Sequence, residues 1–100
     1  MQHFIYILHL QPHYRKPENW NDNINRIVNE HFNYLKEIHE KGIAVLVGKS
    51  DYDIDSTDNF GMCIFQSENL EAAKELMNND PCILNGVMYA ELHPFRIVLH

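Results

Sequence analysis

The sequence predicts an α+β protein in the order strand, helix, strand, strand, helix, strand, with an antiparallel sheet covered on one side by both helices. Three observations predict it. Four short runs rich in β-branched and aromatic residues recur along the 100 residues. Segments with the three- and four-residue apolar spacing of a helix separate the first run from the second and the third from the fourth. Only a polar stretch joins the second run to the third, as in a hairpin with a long loop. A chain of this length holds one core, so residues 1–100 are read as a single domain.

The first strand is HFIYILHL, residues 3–10, and a polar, proline-marked connection follows from Gln11 to about Asn21. The first helix runs from about Asp22 to Lys41. Asn21 or Asp22 caps its first amides, and Gly42 supplies a left-handed stop. Ile43 to Gly48 (IAVLVG) and Phe60 to Gln66 (FGMCIFQ) are the next two strands, joined by the acidic loop KSDYDIDSTDN. Ser67 is expected to cap the second helix, in which Leu70, Ala73, Leu76 and Met77 form the inward stripe. Glu68 and Glu71 favour the positive end of its dipole. Asn78-Asn79-Asp80-Pro81 ends that helix, because the residue before proline is pushed out of helical geometry. Residues 87–99, VMYAELHPFRIVL, form the last strand, with Pro94 marking a bend, bulge or edge. This order is that of the ferredoxin-like βαββαβ fold.

Two helices cover one face of such a sheet, yet the strands read as apolar on both. Phe4, Tyr6, Leu8 and Leu10 oppose Ile5 and Ile7. Ile43, Val45 and Val47 oppose Ala44 and Leu46, and Met62 and Ile64 oppose Cys63 and Phe65. Leaving such side chains in water forgoes roughly 1.5–3 kcal/mol each. A second copy of the sheet is the economical cover, so the expected assembly is a two-fold homodimer whose sheets pack face to face as a dimeric α+β barrel.

Composition excludes several functions. A net charge of −6, with eight scattered Lys and Arg, opposes docking on nucleic acid. No apolar run is long enough for a membrane span, and the opening MQHFIYILHL lacks a basic leader and alternates like a strand. A cytoplasmic location is therefore expected. Cys63 and Cys82 have no Cys-x-x-Cys spacing and read as buried or incidental thiols. Asp51, Asp53 and Asp55 mimic the start of a calcium loop, but Ser56 stands where glycine is needed and Met62 where glutamate is needed. A solvated acidic loop is the better reading. None of the seven histidines forms the His-x-x-x-His pair that puts two imidazoles on one face of a helix, so no metal is expected.

His31 is different. Ile24, Ile27, Val28, Leu35 and Ile38 make one buried face of the first helix, and His31 lies at its centre. A lone buried histidine on a backbone carbonyl is the ordinary explanation, unless an acid reaches it. Asp80 is the best-placed partner. In the split βαβ arrangement the two helices are expected to run roughly parallel, each after one of two adjacent central strands, which places His31 and Asp80 within ~5 Å of the same height along the helix axes. Such a pair is a base and its orienter, with one ring nitrogen held and the other left to exchange a proton.

With these positions in view, the chain resembles the YCII-related family of small dimeric α+β barrel proteins. The resemblance is carried by His31, Gly42, Val47-Gly48, Leu70-Glu71-Ala72-Ala73, Asp80-Pro81, Gly86-Val87 and Pro94-Phe95 in order along the chain. It implies a ferredoxin-like protomer, a homodimer, and a catalytic dyad at His31 and Asp80. A related enzyme removes chloride from a chlorinated hydroxyhydroquinone, which implies proton-transfer or elimination chemistry on a small molecule. Two departures stand out. Lys49 occupies the place of a frequent proline, and Asn29-Glu30 that of an arginine-proline pair.

The expected function is a small cofactor-independent enzyme, lyase- or isomerase-like, acting on a small aromatic molecule or keto acid. His31 is its acid or base, Asp80 the orienter, and Tyr6 and Lys49 are substrate contacts. The competing class is a non-catalytic dimeric ligand-binding or accessory domain. A haem-degrading monooxygenase is disfavoured because Trp20, the sole tryptophan, lies before the first helix rather than in a strand.

Overall fold

Burial alternates along the first strand, and that alternation organises the molecule. In the computed structural model, which describes residues 1–100, Phe4, Tyr6, Leu8 and Leu10 of β1 (Gln2–Leu10) are buried while Ile5 and Ile7 are half-buried. The other strands are β2 (Ala44–Lys49), β3 (Gly61–Ser67) and β4 (Met88–Phe95). They pair in the order β2-β3-β1-β4, every neighbour antiparallel. This is the α+β, ferredoxin-like arrangement. No helix is long and apolar enough to cross a membrane.

The long helix α1 (Asp22–Glu40) begins where Asn21 Oδ1 accepts the Ile24 N–H at 3.0 Å. It ends in a paired-carbonyl stop. Gly42, at φ 77°, donates its N–H to His39, and Ile43 donates to Ile38. Only a residue without Cβ adopts that left-handed turn without strain, which is why the helix ends at this glycine.

The second helix departs from expectation at its start. Ser67 still pairs with Gln2 as a buried strand residue, and Asn69 caps α2 (Leu70–Asn78) by accepting from the Ala72 N–H at 2.8 Å. Leu70, 42% exposed, falls outside the inward stripe, which reduces to Ala73, Leu76 and Met77. A further short helix, α3 (Pro81–Leu84), follows at once with Asp80 as its cap. The last strand ends at Phe95, whose pairing with His3 is the last between β4 and β1, rather than continuing to residue 99. Pro94 is tolerated because β4 is an edge strand.

Strand β2 corrects a second expectation. Ala44 pairs with Phe65, but Leu46 pairs with Ile64, so one extra residue intervenes. Such a bulge inverts the alternation beyond it. Ala44 and Leu46 therefore lie on opposite faces, and Val47 and Lys49, opposite Cys63 and Gly61, turn to the helix side.

The helix-free face is apolar at its centre, where Ile5, Ile7, Met62, Ile64 and Leu46 share it by register. β4 makes its margin polar: Glu91 stands opposite Ile7 and His93 opposite Ile5.

Candidate active site

His31 lies midway along α1, on the stripe that buries Ile24, Ile27, Leu35 and Ile38. An imidazole there, its side chain 12% exposed, needs a polar partner. It has one. Its Nδ1 lies 2.6 Å from Asp80 Oδ1.

The route to that contact differs from the parallel-helix expectation. Because β1 and β3 are antiparallel, the helices that follow them run in opposite senses. Asp80 is not an α2 residue at all. It caps α3, where its Oδ1 accepts the Cys82 N–H at 3.0 Å, and α1 packs against α3. An aspartate followed by proline at the first helical position is a helix-start signal as well as a stop.

Asp80 has no solvent exposure and is the one buried charged residue. Its second oxygen, Oδ2, accepts the Tyr6 hydroxyl at 2.9 Å. Partners of the carboxylate are thus donors, and the side chain is clamped on three sides. Burial, then the Asp80 charge, pushes the Tyr6 phenol upward, which keeps it a donor. The same two causes push the Tyr34 phenol and the Cys63 and Cys82 thiols up to about 12.

With Nδ1 donating to Asp80, the imidazole tautomer is set and Nε2 is the free nitrogen. Nε2 has no protein partner, yet no buried side-chain nitrogen or oxygen lacks one, so Nε2 is open to solvent. The opening is a cavity of about 440 Å³ to which His31 contributes, between α1 and the helix side of the sheet. Its walls are mostly apolar, with Leu8, Leu10, Val28 and Leu35 among them. Lys49 sits at its rim, exposed at the end of β2.

The four residues singled out from the sequence thus divide. His31 and Asp80 touch each other, and Lys49 borders the cavity that His31 enters. Tyr6, expected as a substrate contact, is instead sealed behind Asp80 with 0% exposure and contributes nothing to the cavity wall. Its hydroxyl is spent on the carboxylate. Trp20 and Asn59 also line the cavity, and neither carries a sequence pattern that marks it. Only the fold brings them there.

His31, Asp80 and Cys82 each bring one potential metal-ligand atom to within 4.8 Å of the others. The donor set does not suit an ion. Both Asp80 oxygens already accept hydrogen bonds, and burial holds the Cys82 thiol protonated where a metal needs the thiolate.

Among solved structures, the fold is similar to that of the 5-chloro-2-hydroxyhydroquinone dehydrochlorinase from Burkholderia phenoliruptrix AC1100, in complex with 2,5-dihydroxybenzoquinone. The TM-score is 0.60 at 12% identity, over 94% of this chain and 93% of that one. At that identity the likeness is one of fold. No curated protein matches the sequence significantly. The family model of the YCII-related domain matches residues 1–96. The chain belongs to the YCII-related domain family.

Proposed function

We propose that this protein is a small enzyme of lyase or isomerase type, in which His31 moves a proton on a small molecule held in the cavity. One observation carries the reading: an imidazole whose Nδ1 is held by a buried carboxylate while its Nε2 opens into an apolar cavity. Nε2 takes a proton from a carbon made acidic by a neighbouring carbonyl, or from a phenolic hydroxyl. The imidazolium then returns that proton to another atom, which is an isomerisation, or a leaving group departs with its bonding electrons, which is an elimination. Asp80 fixes the tautomer and stabilises the imidazolium as it forms. Tyr6 is a positioning residue that holds Asp80, and Lys49 remains the substrate contact. The dehydrochlorinase named above lends support to the elimination variant.

A panel of small phenolic and keto acids, phenylpyruvate included, tests the reading by NMR-monitored deuterium uptake from D2O. Wild-type protein accelerates uptake into at least one compound, and His31→Gln loses it by about 10²–10⁴-fold. Asp80→Asn loses a smaller part. Absence of accelerated uptake across the panel, or a His31→Gln protein as active as wild type, overturns the proposal.

We also propose that two copies pair through the helix-free sheet face. Leu46, Tyr89 and Phe95 are 53%, 42% and 38% exposed around the apolar centre of that face. A partner sheet would bury them.

A further inference from the structure

The cavity is selective in the polar groups it presents, and the selection comes from the base of the β2–β3 loop. Ser50 and Phe60 close that base, with the Ser50 N–H donating to the Phe60 carbonyl at 2.8 Å. The Phe60 N–H donates in turn to Ser50 Oγ at 2.9 Å, so the serine's own proton is free for Asn59 Oδ1, also at 2.9 Å. This chain of bonds orients the Asn59 amide. Its oxygen accepts from Ser50, and its Nδ2, which has no protein partner, is the donor left for a ligand.

Lys49 stands close by in the same wall. It is there because the β2 bulge turns it onto the helix side, opposite Gly61. It is the one lysine or arginine lining the cavity, and no aspartate or glutamate lines it. The loop carboxylates Asp51, Asp53, Asp55 and Asp58 are exposed and outside the wall. The remaining polar edge is His31 Nε2. Trp20 adds an aromatic surface whose indole N–H is already bound to the Tyr14 carbonyl at 2.6 Å, so only its apolar body is offered.

We infer that the cavity takes a small planar monoanion, such as an aryl carboxylate, whose acidic oxygens meet Lys49 Nζ and Asn59 Nδ2 while its ring lies on the apolar wall. A volume of about 440 Å³ is near the lower end of the roughly 300–1,000 Å³ of small-molecule pockets, so one ring fits and a dinucleotide does not. The inference rests on the proposed function for the role of His31, but the binding itself does not depend on any reaction.

The test is a fluorescence titration of Trp20, the sole tryptophan, with three compounds of one shape and different charge: benzoate, benzamide and benzylamine. Benzoate binds tightest, and benzylamine does not bind. Replacing the exposed cation, Lys49→Met, weakens benzoate by about three- to fivefold without moving benzamide, and Lys49→Glu weakens it by about tenfold or more. Circular dichroism verifies that each variant is folded. Equal affinity for benzoate and benzamide, no binding of any of the three, or a Lys49→Glu protein that binds benzoate like wild type overturns the inference. The two proposals fail separately. Benzoate binding that depends on Lys49 without any deuterium uptake by the panel removes the enzyme and leaves the anion site. Uptake that depends on His31 without charge selectivity does the reverse.

Discussion

Replacing Tyr6 with phenylalanine isolates the clamp on Asp80. The ring keeps its place in the core, edge-on to Phe65 at 5.7 Å, because only the hydroxyl is removed. What is lost is one hydrogen bond, at 2.9 Å, to a carboxylate with no solvent to replace it. A bond to a charged group contributes about 1.5–3 kcal/mol, so a loss of ~2 kcal/mol is expected. For a domain of this size that lowers Tm by about 8–16 °C. In urea the midpoint falls by ~1 M with m unchanged. Asp80→Asn closes a double-mutant cycle: removing the hydroxyl costs less when the charge is already gone, with a coupling of about 1 kcal/mol or more. On the enzymatic proposal kcat falls several-fold while KM stays put, since Tyr6 borders no part of the cavity. A Tyr6→Phe protein within ~0.5 kcal/mol of wild type refutes the clamp, and a rise in KM alone restores Tyr6 as a substrate contact.

The buried thiols make stability fall in alkali. Cys63 and Cys82 are pushed from the ordinary 9.0 up to about 12, first by burial and then by the Asp80 charge. Above pH 9 the unfolded chain gives up these protons while the folded chain keeps them, so stability present in full below pH 9 is lost as pH rises towards 12. Urea midpoints fall between pH 8 and pH 10, and a Cys63→Ala, Cys82→Ala protein flattens the slope; an equal slope in both proteins counts against it. On the proposed dimer, light scattering finds twice the mass of one chain for wild type and a single chain for Leu46→Glu, whose added charge meets the apolar centre of the shared face. A wild-type monomer ends that proposal.

Much of this molecule is legible in the sequence because the relevant signals are local. Turn residues and hydrophobic period mark the strand and helix order, and Gly42 marks the end of α1 where a left-handed residue is required. His31 is conspicuous for the same reason: a titratable ring interrupts a face whose other positions are hydrocarbon. Asp80 is legible as an acid before proline, and its α3 is overlooked because a four-residue helix is too short to show a period.

Tertiary structure decided what lies between these elements. Apolar Ala44-Val45-Leu46-Val47 reads equally well in either register, so no pattern reveals the bulge, and only pairing with β3 shows that it turns Lys49 towards His31's cavity. The His31–Asp80 contact spans 49 residues and depends on α1 resting against α3, which heights along two helix axes do not determine. Tyr6 and Asn59 have the chemistry of ligand contacts as isolated residues. Packing assigns the Tyr6 hydroxyl to a buried carboxylate and engages the Asn59 oxygen with the Ser50 hydroxyl at the cavity wall, because a side chain's function depends on which of its hydrogen-bonding atoms the fold has already used.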